Sequence, residues 1–452
     1  MQLQFLGATD TVTGSKYLLR HGDRHLLVDC GLFQGYKTLR LRNWADLPVP
    51  PTSIDAVVLT HAHIDHSGYL PLLVREGFTG PVYCTPATHD LCRIMLPDSG
   101  YLQEEEAEYL NRHHASKHEP ALPLYTRDDA LRSLHHFRPV APGAAFEPLP
   151  GLKATLTHSG HMVGSAFARF DDGQRSILFS GDLGRPQDLV LRPPEPVPAA
   201  DYLVVESTYG DRVHPDADPL PGLAAVIKRT AARGGVLVIP AFAVGRAQAL
   251  IHAIHLLKQR QLIPDLPVFL NSPMAAAATQ VYWKYPEELR LTHEECVVAC
   301  RDVRIVETGA ESEALNSLRM PAIIIAASGM ATGGRVVHHI KAFAPHERNT
   351  LLFVGYQAGG TRGAAIVDGA PRVRIHGEEI PIRAEVARLD DMSAHADANE
   401  LMAWMKQLGK APRAAFVTHG EPAAADALRQ RIERELRWTC KLPYYLERVA
   451  LD

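Results

Sequence analysis

Cysteine is scarce in this chain: Cys30, Cys84, Cys92, Cys296, Cys300 and Cys440 are six among 452 residues, and they form no CxxC pair. That usage argues against a disulfide framework and fits a reducing compartment. Cys296 and Cys300, four apart, read as two packed thiols rather than as metal ligands. A strong charge of either sign is missing as well. With 47 basic and 51 acidic residues the formal net charge is -4, so bulk charge gives no attraction to nucleic acid and any polyanion must be held by a local patch or a metal site. No apolar run reaches membrane-spanning length, and the N-terminus opens on the strand pattern Gln2 to Leu6 without a basic start or a cleavable apolar core. The expectation is a soluble, cytoplasmic protein with no membrane partner. Repeats and low-complexity tracts are also lacking.

What is present is a globular composition, 46% hydrophobic, at a length that calls for two domains. The most informative stretch is His61-Ala62-His63-Ile64-Asp65-His66, directly after the apolar run Val57-Val58-Leu59. Imidazole and carboxylate together suit zinc and similar divalent ions, whereas a softer metal would call for thiolates beside them. One metal cannot use all four ligands and stay reactive. His61 and His63 alternate on an extended segment while Asp65 and His66 turn into a helical pattern, so the two pairs can serve neighbouring ions, the arrangement used for displacement at phosphorus or attack on a carbonyl. The competing reading is a solvated, histidine-rich loop.

Strands ending in polar, glycine-bearing loops recur along the chain. Asp29, His161, Asp182, Glu206, His395 and His419 each follow such a run or sit beside small residues, as site residues in α/β architectures do. His113, His114 and His118 repeat no metal spacing and read as a solvated helix. The proline-rich stretch 192–198 is a surface connection. From Leu223 to about Val354, helical patterns alternate with all-apolar strands at 236–239, 268–270 and 322–325, the mark of a parallel sheet covered on both faces. The rhythm of strand, loop and helix then resumes, with 385–389 and 414–417 as its strands. A middle domain inserted into the first follows from this order: residues 1–208 and 389–452 as one domain and 209–388 as the insert.

The motifs in sequence order resemble those of the metallo-β-lactamase superfamily and, within it, the β-CASP nucleases: VDCG with Asp29, THAHIDHSG, SGHMVGSA with His161, SGDLGR with Asp182, VESTYGDR with Glu206, SAHAD with His395 and VTHGE with His419. The fold this resemblance implies is α/β, a metallo-β-lactamase αββα sandwich with an inserted β-CASP domain of parallel sheet and flanking helices. It implies two Zn2+ per chain: His61, His63 and His161 hold one, Asp65, His66 and His419 the other, and Asp182 bridges them. Asp65, His395 and Glu206 are the implied catalytic residues, with His395 protonating the leaving 3′ oxygen, Glu206 accepting its other ring proton, and Asp29 orienting the ligand loop. A histidine at the last motif marks the branch acting on RNA. The implied activity is a zinc-dependent ribonuclease that uses an activated water, leaves 5′-phosphate and 3′-hydroxyl, and cuts single-stranded RNA endonucleolytically with room for 5′ to 3′ exonuclease activity. A homodimer is compatible with it.

Within the insert, SGMATGGR and GYQAGGTRG match β-CASP stretches and imply a phosphate cradle of Ser328, Thr332, Gly333, Gly334, Arg335, Gln357 and Thr361. The order Arg362 before Gly363 departs from the family pattern and leaves that arginine's role open. Arg246 reads as a domain-interface residue or a phosphate contact, and Phe242, Tyr356 and Tyr209 as core aromatics or base-stacking residues. The alternatives are a hydrolase of a small thioester or lactone on the same fold, and a non-catalytic scaffold subunit that has lost its ligands.

Overall fold

Short apolar runs separated by tight turns build the first of two units in the computed structural model, which describes residues 1–114, 116–215 and 218–452. This unit comprises Met1–Pro186, Pro193–Val213 and His395–Asp452; the second comprises Gln187–Arg192 and His214–Ala394.

In the first unit, one seven-stranded sheet runs in the order Arg448–Ala450, Gln2–Phe5, Tyr17–His21, Arg24–Val28, Ala56–Val58, Val82–Cys84, Phe137–Pro139. The other runs Cys440–Lys441, Ala414–Val417, Tyr202–Val205, Ser176–Phe179, Ala166–Asp171, Leu152–His158, Ala145–Leu149. Their inner faces share one core in which Leu3, Phe5, Leu26 and Val58 meet Leu156, Phe170, Phe179 and Phe416. Rings meet there too, Phe5 with Phe416 at 5.4 Å and Tyr17 with Phe179 at 5.5 Å between centroids. Each such fully buried side chain contributes about 1.5–3 kcal/mol. The outer face of the second sheet is covered by helices Ala398–Met405 and Pro422–Arg431 through Leu401, Met402, Met405 and Leu428. Helix Pro86–Arg112 packs on Arg127–Ser133 and on the edge strand Phe137–Pro139 of the first sheet. The result is an αββα sandwich.

Strand direction positions the chemistry. Arg24–Val28 and Ala56–Val58 are parallel neighbours, as are Ser176–Phe179, Tyr202–Val205 and Ala414–Val417. Parallel pairing places their carboxyl ends along one edge, where Asp29, the His61–His66 run, Asp182, Glu206 and His419 come next in the chain.

The second unit is an all-parallel six-stranded sheet, Val303–Ile305, Val268–Asn271, Ala322–Ala326, Val236–Pro240, Thr350–Val354, Glu385–Leu389. Alternate strand residues enter two cores. Leu237, Ile239, Ile323 and Ile325 face the helices Pro219–Ala232 and Arg246–Gln259, while Val236, Val238, Ile324 and Phe353 face Arg335–Phe343. Burial of both faces explains the unbroken apolar runs. Glu385–Leu389 is the edge of this sheet, so the strand taken to resume the first domain's rhythm lies wholly in the insert, and the expected boundary at 388/389 falls inside it. Its Glu385 is tied to Arg229 at 2.5 Å and to Arg233 at 2.6 Å. Among the described residues no helix is long and apolar enough to cross a membrane.

Candidate active site

Every residue expected to bind metal lies in the first unit, and the fold brings all of them together. His61 Nε2 and His161 Nε2 stand 3.2 and 3.1 Å from His63 Nδ1, and each is 3.6 Å from Asp182 Oδ2. In the neighbouring cluster His66 Nε2 is 3.1 Å from His419 Nε2 and 3.3 Å from Asp182 Oδ1, and Asp65 Oδ2 is 3.4 Å from His419 Nε2. Ligand atoms in each cluster lie within 4.8 Å of one another. The donor set fits zinc: bonds of about 2.0–2.1 Å give a tetrahedral edge of about 3.3 Å, close to the spacings present. Asp182 faces the first cluster with one oxygen and the second with the other, and its buried Oδ1 accepts no hydrogen bond. A buried carboxylate oxygen left without a donor is costly unless a cation faces it.

The surrounding loops hold this geometry through the backbone. Asp29 takes Thr60 N–H at 2.7 Å on one oxygen, and Thr60 Oγ1–H at 2.9 Å and His66 Nδ1 at 2.8 Å on the other, which fixes the His66 ring. A Cβ on Gly31 would lie 1.6 Å from the Asp65 carbonyl oxygen, and one on Gly184 would lie 1.9 Å from that of Gly160. Only glycine allows these ligand loops to approach so closely. Asp29 and His419 themselves adopt left-handed backbone, φ 56° and 50°, a strained conformation of the kind that collects at functional sites.

His395 enters from the segment before helix Ala398–Met405. That helix is capped reciprocally by Asp397 and Glu400, and Ala396 N–H donates to Leu183 O at 2.8 Å. This brings His395 Nδ1 within 3.3 Å of Glu206 Oε2 and 3.9 Å of Asp182 Oδ2. Glu206 is held in turn, because its Oε1 accepts Leu183 N–H at 2.7 Å and its Oε2 accepts Thr208 N–H at 3.3 Å. Asp182, Glu206 and His419 also form a third cluster of candidate ligands. We read Glu206 instead as the partner of His395, since both its oxygens already accept backbone hydrogens. His63, Asp65 and His395 are partly exposed while the rest of the set is buried, so these three mark where solvent reaches the centre.

Burial lowers the pKa of His61 well below the imidazole range, aided by His66, and brings His63 down to about 4. Burial alone would lower His66 too, but Asp182 and Asp29 raise it well above that range. Burial would raise Asp65 and Asp182, yet nearby imidazoles, His419 foremost, hold both carboxyls below the usual carboxylate range. In the metal-free protein His66 therefore keeps its proton to higher pH than an ordinary imidazole. Zinc binding is expected to release about one proton per chain, with affinity falling as pH falls. Calorimetric titration in buffers of different ionisation enthalpy measures this, and the absence of proton release would contradict it.

In the second unit, the two glycine-bearing stretches meet. Gly363 N–H donates to Met330 O at 2.9 Å, Gln357 Nε2–H to Gly329 O at 3.1 Å, and Arg362 to Ala331 O. Ser328 Oγ and Thr332 Oγ1 pair at 3.1 Å on the exposed turn that Gly333 and Gly334 complete. Two expected phosphate ligands are engaged in structure: Arg335 binds Asn271 Oδ1, Val306 O and Glu307 O, and the buried Thr361 caps helix Arg362–Val367. Arg362, whose role was open, also donates to Arg374 O of the hairpin Arg372–Pro381, at 3.0 Å. Tyr209 is fully buried and cannot stack on a base. His113, His114 and His118 are exposed and join no described metal cluster.

An αββα sandwich with a His/Asp centre at its strand ends defines a metal-dependent hydrolase of the metallo-β-lactamase class. Family models agree along the chain: the metallo-beta-lactamase superfamily over residues 10–221, the Beta-Casp domain over 247–366, and the Zn-dependent metallo-hydrolase RNA specificity domain over 379–443. The chain is 38% identical over 431 residues to Ribonuclease TTHA0252 of Thermus thermophilus, covering 93% of each chain. It is 32% identical over 466 residues to Transcription termination factor FttA of Methanosarcina mazei, covering 99% of this chain and 71% of that one. A solved structure from Enterococcus faecalis, of a protein of unknown function, shares the fold at TM-score 0.53 and 14% identity, over 100% of this chain and 99% of that one. The chain thus belongs to the β-CASP ribonuclease family of the metallo-β-lactamase superfamily.

Proposed function

We propose that the chain is a zinc-dependent ribonuclease that binds two metal ions, cleaves single-stranded RNA to 5′-phosphate and 3′-hydroxyl ends, and works in RNA processing or decay in the cytoplasm. The cut is endonucleolytic, with 5′ to 3′ exonuclease activity at the same centre. The observation that carries this reading is Asp182, whose two oxygens serve two separate groups of ligand atoms. A pair of divalent cations held there by these residues would supply Lewis acidity and make a water acidic enough to serve as nucleophile at neutral pH.

The protein's own residues complete the chemistry. His61, His63 and His161 on one side, and Asp65, His66 and His419 on the other, are held by their loops in the spacing that ligation needs. His395, partly exposed at the edge of the cluster, is placed to give a proton to the leaving 3′ oxygen. Burial would lower its pKa, but Glu206, then Asp182 and Asp65, raise it, so it remains an imidazolium into the neutral range. Glu206 holds the Nδ1 side of the ring, at 3.4 Å from Oε1 and 3.3 Å from Oε2.

Labelled RNA and DNA of equal sequence, with and without chelator, test the reading. RNA is expected to be cut to 5′-phosphate products and to survive in chelator. A 2′,3′-cyclic phosphate, or intact RNA beside rapid hydrolysis of a thioester, would overturn it.

A further inference from the structure

The loop that follows strand Arg24–Val28 is pinned to the metal loop, and it leads to a group of side chains that the mechanism does not use. Cys30 N–H donates to His66 O at 2.7 Å and Leu32 N–H to Ile64 O at 2.9 Å. Tyr36 then opens the helix Lys37–Leu41, and the turn Arg42–Trp44 follows. Tyr36 is the seventh residue after Asp29, a span of at most about 25 Å. Tyr36 is 52% exposed and Trp44 59%, and from the C-terminal segment Tyr444 is 80% exposed.

Arg42 ties these two segments together. Its guanidinium lies 4.4 Å from the centroid of Tyr445 and 5.4 Å from that of Phe33, and both its terminal nitrogens donate to Asp10 at 2.9 Å. The chain thereby has a fixed base of Phe33, Arg42 and Tyr445, and the exposed Tyr36, Trp44 and Tyr444 each lie within three residues of one of its members in the chain. Among the described residues none of those three rings contacts another ring, and neither Lys37 nor Arg40, both exposed, makes an ion pair.

Local charge favours a polyanion as the occupant. The segment 36–44 has three basic residues and no acidic one, in a chain whose net charge is -4. Exposed rings interleaved with cations are what holds an unpaired nucleic-acid strand: bases stack on rings without regard to sequence while cations follow the phosphates. We propose that Tyr36, Trp44 and Tyr444, flanked by Lys37 and Arg40, form a stacking platform that grips single-stranded RNA a few nucleotides from the bond being cut. The platform rests on the ribonuclease reading for its place in the reaction. It adds a determinant of substrate length that the metal centre alone does not contain.

The test compares cleavage of RNAs of about 6 and about 20 nucleotides by the wild type, Trp44→Ala, Tyr444→Ala and the double variant. Binding of the longer RNA is measured in a His395→Ala background at several salt concentrations. The double variant is expected to raise KM for the longer RNA about tenfold or more, with kcat and cleavage of the shorter RNA unchanged. Trp44→Phe should retain most of the affinity, and Lys37→Ala should reduce the salt slope by about one. Wild-type behaviour on the longer RNA, or equal losses on both lengths, overturns the platform and leaves the ribonuclease reading standing. A wild type that cleaves neither RNA overturns the ribonuclease reading, and the binding measurement alone then decides the platform. Conversion of a dimer to monomers by these substitutions, at unchanged RNA affinity, gives the patch to a second copy and also overturns the proposal.

Discussion

Asp182→Ala is expected to lower the rate of RNA cleavage about 10³-fold or more and to reduce bound zinc below that of the wild type. The loss follows from geometry: one carboxylate lies 3.6 Å from His61 and His161 through Oδ2 and 3.3 Å from His66 through Oδ1, so its removal opens both clusters at once. Charge stabilisation worth several kcal/mol converts to that rate factor at 1.36 kcal/mol per tenfold. The metal-free protein should also be less stable in the variant, but only in a defined window. Asp182 is held below the usual carboxylate range, so its contribution is present above that range and lost in acid. His66 is raised, so its share is present at low pH and disappears as pH rises through its folded value. The stability deficit therefore lies between the carboxylate range and the raised imidazole pKa, and closes above it. Metal analysis, single-turnover kinetics and chelated thermal melts across pH check all three. Retention of both the zinc content and the rate would remove Asp182 from the bridging role proposed for it.

Much of this centre was legible in the sequence because its residues follow buried strands within one to three positions: Asp29 after Val28, Asp182 after Phe179, His419 after Val417. Offsets of that kind survive without knowledge of the fold. The order in which the strands lie side by side does not. His66 and His419 are 353 residues apart and meet at 3.1 Å because Ala414–Val417 joins the second sheet beside Tyr202–Val205 and that sheet packs on the one holding Ala56–Val58, a non-local choice that no local pattern encodes. Here the family resemblance supplied what periodicity could not. The same limit explains Glu385–Leu389, whose alternation reads equally well in either unit until its parallel partner Thr350–Val354 is known. In the second unit, Arg335 and Thr361 stand in glycine-rich turns suited to phosphate, yet Arg335 donates to Asn271 Oδ1, Val306 O and Glu307 O, and Thr361 donates to Ala358 O. The exposed rings of Tyr36, Trp44 and Tyr444 carry no period that would single them out in the sequence. Three cations between Tyr36 and Trp44 were the available signal.

His395→Ala should separate proton delivery from metal binding, lowering kcat about 10²–10⁴-fold while zinc content stays at the wild-type level. His395 is not part of either main ligand cluster, and its ring sits on Glu206 at 3.3 Å, so truncation leaves the two groups of ligands in place. Glu206→Gln then tests how the acid is tuned. In the wild type burial pulls the His395 pKa down and Glu206, Asp182 and Asp65 push it above the ordinary imidazole value. Bound cations would offset the negative charge of Asp182 and Asp65, leaving Glu206 as the main group that keeps the imidazolium charged. With glutamine in its place the pKa falls, so the alkaline limb of kcat moves to lower pH while the acidic limb stays where it was. A leaving group that needs no protonation makes the contrast sharper. An RNA whose scissile 3′ oxygen is replaced by sulfur leaves readily as a thiolate, and on it His395→Ala should lose far less rate than on ordinary RNA. Equal losses on both substrates would show that His395 positions the substrate or the ligand loops and does not donate the proton.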